Sequence, residues 1–312
     1  MDRWRFRRGT QQAVQAAGTE TTLTVQGSRS RSQGWKDLAF IALLLFSVLI
    51  GLALLVTLII DTFIEGSSRL NLDLLTNFPS GVPERAGLQS AIFGTLWVIG
   101  GMIVTMLPIG TGAAIYLEEY ANPDRWYNRL LEVNIRNLAA VPSIVFGILG
   151  LGLIVRGPLS MGAVVYAGSL TLTLMVLPTV ILASREAIRS VPPSLRQGSM
   201  ALGATKWQTI WRHVLPNAIP GIATGTILAV SRAIGETAPL LLVGATVFVT
   251  FNPDGFLAEG YTTLPVQIFN WVQRPQDEFR VLAAAGIIVL LFILLAMNSF
   301  AIWLRNRYQR HA

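Results

Sequence analysis

Cysteine is absent from the 312-residue sequence, and histidine occurs only at His213 and His311. The absence of cysteine excludes disulfide bonds, thiolate metal sites and cysteine nucleophiles. Two imidazoles are too few for a histidine-based metal centre, so we expect no metal site and no cofactor bound by this chain. No serine or threonine nucleophile has an evident base beside it, and paired carboxylates are missing. The sequence therefore argues against an enzyme.

Charge is also scarce, at 13% of the residues against about 25% in a typical soluble domain. Hydrophobic residues make up 52% of the chain and come in uninterrupted runs. Runs of about 20 apolar residues are long enough for a helix to cross the hydrocarbon of a bilayer. Lipid offers no hydrogen bonds to backbone amides, so each run should be helical. We predict an all-α polytopic membrane protein.

Six apolar runs define the predicted membrane-spanning helices: Leu38 to Ile60, Leu88 to Ala114, Leu138 to Val155, Met161 to Ala183, Ile219 to Val249 and Val281 to Leu304. The first run is long and lacks a small-residue cleavage pattern, so we expect a retained helix rather than a signal peptide. Residues 1–36 are polar and basic, which predicts a disordered tail. Residues 37–312 form the predicted transmembrane domain.

Lysine and arginine are distributed unevenly between the loops. If the N-terminus is cytoplasmic, 18 of these residues fall on the inner side and 5 in the outer loops. This bias is the positive-inside rule, and it predicts that both termini are cytoplasmic. It also explains the net charge of +7 without nucleic acid, which we do not expect as a partner.

The predicted cytoplasmic stretch 184–217 alternates charged residues with large apolar ones, which a simple connector does not need. Its sequence predicts a helix, a turn at Gly203, a second short helix and then an entry to the fifth span marked by Pro216 and Pro220. The second helix should present four large side chains on one face: Trp207, Ile210, Trp211 and Val214. Such a face suits docking in a protein groove, although an amphipathic connector on the membrane surface would carry the same pattern.

This stretch resembles the cytoplasmic loop of the binding-protein-dependent ABC importer permeases. Gly203 and the pair Leu215–Pro216 stand at the family's spacing, while Gln197, Gly198 and Ser199 occupy the positions of its Glu-Ala-Ala segment. The resemblance implies a type I importer permease fold and a loop that couples to an ATPase. The coupling residues implied are Gly203, Ala204, Thr205, Lys206, Trp207, Ile210, Trp211, Leu215 and Pro216.

Further along, the segment from Ser231 to Leu241 resembles the fifth-helix signature of the phosphate importer's permease subunits, the PstA type more than PstC. The similarity extends from about residue 88 to the C-terminus. It implies an inner-membrane protein that works with a homologous PstC-like permease, a dimer of a PstB-like ATP-binding subunit and an extracytoplasmic PstS-like phosphate-binding protein. ATP would be used by the partner, since this chain has no glycine-rich loop ending in Gly-Lys-Ser or Gly-Lys-Thr.

Arg232 and Glu236 are the only charged residues inside the predicted spans, about 13 residues into the fifth and so near mid-bilayer. One interpretation is a salt bridge that neutralises itself. The other, which we favour, is a substrate pathway formed by Arg232, Glu236 and Thr237. A guanidinium matches a passing oxyanion bidentately, and Glu236 would hold Arg232 or accept the proton of hydrogen phosphate.

A stripe of small residues runs along the same span: Gly221, Gly225, Ala229 and Ala233. Such stripes allow close packing of helices in lipid, here with another span or with a second permease. Pro239 should bend or interrupt the helix just beyond Glu236.

Two other functions remain open. They are a permease for sulfate, molybdate or phosphonate, and an ion-coupled carrier or channel that works without ATP.

Overall fold

The computed structural model describes residues 31–246 and 248–309, so most of the predicted tail, 1–36, lies outside the described residues. The chain divides between Leu58 and Ile59 into two compact units. Helices make up the described residues, apart from turns, loops and one isolated bridge between Val164 and Glu259. The all-α class predicted from the sequence is confirmed.

The α-helices are α1 (Arg31–Gly66), α2 (Leu72–Thr76), α3 (Gln89–Ile115), α4 (Trp126–Ala139), α5 (Ser143–Gly150), α6 (Val165–Arg189), α7 (Pro193–Ala201), α8 (Lys206–Thr209), α9 (Leu215–Ile234), α10 (Ala238–Leu242), α11 (Leu264–Val272) and α12 (Asp277–Gln309). Wider π-helical turns follow three of them, at Tyr116–Tyr120, Leu151–Val155 and Ile210–Val214.

Within the described residues, five continuous helices are long and apolar enough to cross a membrane: Trp35–Arg69, Gln89–Tyr120, Val165–Arg189, Lys206–Ile234 and Asp277–Arg307. The sixth candidate span is the pair Trp126–Ala139 and Ser143–Val155, which is bent by 108°. Five of the predicted spans therefore overlap these continuous helices, and the third overlaps the bent pair.

The predicted third span, Leu138 to Val155, is wrong at its start. Leu138 belongs to the end of the amphipathic helix α4, and the chain then bends at Pro142, whose ψ of 139° is extended. Proline disfavours helical backbone in the residue before it, which favours a break between the two helices at this point. The part beyond the bend contains 8 and then 5 residues, or about 20 Å of helix.

The core of the second unit is built around α6. About two thirds of its most apolar window is buried (67%), against 39% for the span that begins at Gln89. Met102 and Met106 of α3 pack with Leu172 and Val176 of α6 in the largest cluster. The fourth predicted span is thus the central helix of this unit.

The connection between α10 and α11 packs back onto the helices instead of projecting away. Tyr261 is fully buried in the main cluster, and burial raises the pKa of its hydroxyl. Gly94 of α3 leaves room for the carbonyl of Thr262, since a Cβ there would lie 1.9 Å from that oxygen. The Leu264 amide donates to the Thr95 hydroxyl at 2.9 Å. These contacts hold the connection against α3.

Candidate functional site

The charged pair lies at a break in the fifth span. Helix α9 ends at Ile234, and α10 begins at Ala238 with Pro239 in its first turn. Arg232 stands in the last turn of α9, and Glu236 lies in the break rather than inside a continuous helix. The interruption predicted from Pro239 is present. The single span predicted over Ile219 to Val249 is therefore two helices.

The two charges contact each other only loosely. Arg232 Nε lies 3.6 Å from Glu236 Oε1, and the side chains are 55% and 18% exposed. Thr237 follows directly and is half-buried; its carbonyl accepts a hydrogen bond from the Leu241 amide at 3.1 Å. The Arg232 side chain is thus more exposed than the carboxylate beside it. This arrangement suits reversible binding of an anion better than a closed salt bridge does.

A polar contact joins α9 to α12 next to this pair. The Ser231 hydroxyl lies 2.7 Å from Asn298 Oδ1, and Arg305 NH1 donates to the Thr224 hydroxyl at 2.8 Å. Hydrogen bonds of this kind fix neighbouring helices in lipid. The sequence interpretation missed Asn298, although an asparagine inside the sixth apolar run was an available signal.

The stretch 184–217 folds as a helical hairpin. Helix α7 ends at Ala201, Gly203 turns the chain with a φ of +86°, and α8 begins at Lys206. Thr205 and Gln208 form a capping box at the start of α8. A positive φ favours glycine because it has no Cβ, so Gly203 is the residue that permits this turn. The predicted order of helix, glycine turn and second helix is found in this stretch.

The second helix of the hairpin is not separate from the fifth span. It continues from Lys206 to Ile234 through the π-helical turn Ile210–Val214, where the Leu215 amide donates to the Ile210 carbonyl. Pro216 has no amide hydrogen to donate. The wider turn just before it lets the helix pass through, so the separate start of the fifth span predicted at Pro216 and Pro220 is wrong.

The four large side chains predicted on one face of the second helix divide between two faces. Ile210 and Val214 are buried at 1% exposure each, whereas Trp207 and Trp211 are each 57% exposed. The two indole rings stack with centroids 5.6 Å apart. Val214 packs with Ala114 of α3 and Ile188 of α6 in one buried cluster, and the two tryptophans do not belong to that cluster.

The tryptophans line a groove of about 1150 Å³ between α3, α9 and α12, which we call the three-helix groove. Its walls are mainly apolar, and representative lining residues are Leu107, Ile219 and Phe300. Arg232 is not among the lining residues. Glu236 is not among them either, so the charged pair lies outside this groove.

Leu202 is a residue that the sequence interpretation missed. It stands just before Gly203 and is 92% exposed, the highest value among the exposed large hydrophobic residues. A Cβ at Gly203 would have no neighbour within 4 Å. We call Leu202 to Thr205 the coupling tip. Its signal in the sequence was a leucine beside the turn glycine of a polar loop.

The stripe of small residues lies inside the chain. A Cβ at Gly221 would come within 2.6 Å of Ala187 Cβ, and one at Gly225 within 2.3 Å of Ala183 Cβ. Ala229 and Ala233 are buried, at 2% and 1% exposure, in the main cluster. This seam joins α9 to α6 of the same chain.

The model of the family described as "Binding-protein-dependent transport system inner membrane component" matches residues 106–310. The chain belongs to this family. The match contains the hairpin, the charged pair and the seam, and leaves α1 and α2 outside.

Several relatives are similar over most of the chain. The probable ABC transporter permease protein YqgI of Bacillus subtilis is 32% identical over 81% of this chain and 89% of that protein. The phosphate transport system permease protein PstA of Haemophilus influenzae is 32% identical over 81% and 88%. PstA 1 of Mycobacterium tuberculosis is 36% identical over 72% and 73%.

Solved structures of ABC transporters share the fold of this permease. A chain of a bacterial alginate ABC transporter aligns over 88% of this chain and 96% of its own length, with a TM-score of 0.62 and 17% identity. A chain of the MetNI methionine transporter aligns over 71% and 94%, with a TM-score of 0.55 and 15% identity. The permease fold predicted from the resemblance is confirmed.

Proposed function

We propose that this permease is a subunit of an ATP-driven importer that moves inorganic phosphate into the cytoplasm. The relatives from Haemophilus influenzae and Mycobacterium tuberculosis are phosphate transport permeases by name, and this chain matches them over most of its length. Within the chain, Arg232 supports an anionic substrate. Its side chain is half-exposed, and its contact with Glu236 is long, at 3.6 Å.

Arg232 would bind the substrate and Glu236 would help to select it. A guanidinium donates two parallel hydrogen bonds to two oxygens of a phosphate. Glu236 would hold Arg232 between transport cycles and accept the proton of hydrogen phosphate, which fully deprotonated sulfate lacks. Thr237 lies beside them and would supply a hydroxyl to the same anion. No covalent step is assigned to this chain.

The transporter would require other subunits. We assign a homologous PstC-like permease as the second half of the pathway, a PstB-like dimer as the site of ATP hydrolysis, and a PstS-like binding protein on the outer side. The excess of lysine and arginine in the proposed inner loops supports an orientation in the inner membrane with both termini cytoplasmic.

The coupling tip would be the main contact with the ATPase. Leu202 is almost fully exposed beside a turn that leaves space around Gly203. An exposed leucine at the end of a rigid helical hairpin can enter a groove of a partner, as amphipathic helices do. Trp207 and Trp211 line the three-helix groove, so we assign them a supporting rather than a leading part in this contact.

One continuous helix connects the proposed docking and substrate sites. Lys206–Ile234 contains 29 residues, which corresponds to about 40 Å at 1.5 Å per residue. It begins beside the coupling tip and ends at the break that holds Glu236. A movement of the coupling tip would therefore be transmitted to the charged pair along this one helix.

Phosphate uptake into proteoliposomes tests the proposal. The liposomes would hold this permease with its candidate second permease, ATPase and binding protein, with ATP present or absent and sulfate as a competitor. We expect uptake that requires ATP and resists sulfate. Uptake without ATP would favour an ion-coupled carrier, and equal competition by sulfate would favour a permease for other oxyanions.

A further inference from the structure

Two consecutive glutamates, Glu118 and Glu119, stand at the end of the second span. Glu118 accepts a forked pair of hydrogen bonds from Arg189, at 2.9 and 3.0 Å, and a third from Arg185 at 3.4 Å. Glu119 Oε1 accepts from Arg196 Nε at 3.0 Å and lies 2.9 Å from NH2. Each carboxylate thus binds cations from the end of α6 or from α7.

Arg196 connects three pieces of backbone. Besides Glu119, it donates to the carbonyls of Val191 at 2.6 Å and Ile188 at 2.8 Å. These carbonyls lie at the end of α6 and just beyond it, where helices lack intrahelical donors. One side chain of the hairpin therefore closes the end of the fourth span and binds the end of the second.

The second helix of the hairpin is held at the same place. Lys206 Nζ donates to the backbone carbonyl of Glu119 and lies 5.0 Å from the centroid of the Tyr120 ring. Both arms of the hairpin, α7 through Arg196 and α8 through Lys206, are bound to one short stretch of the second span. We call Glu118, Glu119, Arg196 and Lys206 the hairpin clamp.

Burial separates the Glu119–Arg196 pair of this clamp from ordinary surface ion pairs, which contribute little to stability. The side chain of Glu119 is 9% exposed and that of Arg196 is 19% exposed. Breaking a buried pair leaves an uncompensated charge, so the clamp should stay closed while neighbouring elements move. By contrast, the contact between Glu186 and Arg189 at 3.5 Å is exposed on both sides, at 74% and 54%.

We propose that Glu119 is a positioning residue that makes the hairpin and the inner end of the second span move as one body. The backbone joins the hairpin directly only to α6 and α9. Without the clamp, a displacement of the coupling tip would reach α3 only through the packing of α3 against the other helices. With the clamp, it reaches the inner end of the second span directly. This inference rests on the proposed docking of the ATPase at the coupling tip.

The test compares Glu119→Gln with the matched control Glu186→Gln in the complete transporter. Glutamine keeps the shape of the side chain and removes the charge that binds Arg196. The measured quantities are phosphate imported, ATP hydrolysed and ATPase subunit retained on purification. A third variant, Arg196→Lys, is measured alone and together with Glu119→Gln.

For Glu119→Gln we expect the ATPase to stay bound and to hydrolyse ATP, while phosphate imported per ATP falls about tenfold, the size of a typical coupling between sites. Glu186→Gln should match the wild type. Arg196→Lys should add little in the Glu119→Gln background, because residues of one pair are not additive.

An unchanged ratio of import to hydrolysis in Glu119→Gln would overturn the inference, and so would loss of the ATPase subunit, which would place Glu119 in docking instead. Neither result would affect the proposed function. That function is tested separately, by whether phosphate uptake by the wild-type transporter requires ATP.

Discussion

At the scale of single residues, arginines beside carboxylates have two different environments. Arg185 and Arg196 are enclosed, with side chains 10% and 19% exposed, and each has several partners. Arg232 is 55% exposed, and its ion pair with Glu236 is a single contact at 3.6 Å. A guanidinium held by several close partners serves the structure, whereas one held by a single long contact can exchange its carboxylate for an anionic ligand. This difference supports our choice of the pathway over a self-neutralising salt bridge.

Replacement of Arg232 by lysine should reduce phosphate uptake although the charge is kept. Lysine is a point charge without the forked geometry of a guanidinium. Losing one charge-assisted hydrogen bond costs about 1.5–3 kcal/mol, or roughly 10- to 100-fold in affinity. The check is the uptake rate at normal expression. Arg280→Lys, at an exposed pair with Asp277, is the matched control and should behave like the wild type. Unchanged uptake in both Arg232→Lys and Glu236→Gln would remove the pathway role.

Replacement of Leu202 by aspartate should release the ATPase from the permease. The leucine is 92% exposed at the coupling tip, so the change should leave the fold intact while placing a charge in an apolar contact. Co-purification of the ATPase subunit measures the effect. Leu257→Asp, at a residue 72% exposed on the opposite side of the proposed membrane, should retain it. Retention in both variants would move the docking surface elsewhere.

At the scale of elements, apolar run length predicted where the long apolar helices lie, because a helix that crosses lipid needs little beyond length and hydrophobicity. It failed where the backbone changes direction. Pro142 and Pro216 look alike in the sequence, yet the chain bends at the first and continues as helix through the second. The difference comes from the π-helical turn before Pro216, which depends on packing of Ile210 and Val214 and leaves no local signal.

The contact between α9 and α6 should be sensitive to a single methyl group. A Cβ at Gly225 would lie 2.3 Å from Ala183 Cβ, closer than two carbons can approach. Overpacking of this kind typically costs about 1–3 kcal/mol, so Gly225→Ala should lower the melting temperature in detergent. Gly100→Ala, with no neighbour within 4 Å of its Cβ, should not. Adding Ala183→Gly to Gly225→Ala should restore stability; failure of that rescue would contradict the seam.

At the scale of the whole molecule, the sequence predicted the candidate site in parts. Arg232 and Gly203 could be found because each breaks a local pattern, a charge in an apolar run and a glycine between helices. The hairpin clamp could not be found from the sequence in this way. Glu118 and Arg189 are separated by 71 positions, and Glu119 and Arg196 by 77, so no periodicity joins them. Such pairs form only once the ends of the second and fourth spans meet.

The distribution of charge over the whole molecule predicts which side of the membrane each loop faces. Because the chain has no cysteine, single cysteines can report this without background labelling. Glu186 lies near the end of α6 and Asp254 lies between α10 and α11, and both are exposed. In intact cells, a membrane-impermeant maleimide should label Asp254→Cys and should label Glu186→Cys only after permeabilisation. The opposite pattern would place the coupling tip outside, where no ATPase could reach it. It would remove both the proposed docking and the positioning role of Glu119, which rests on that docking.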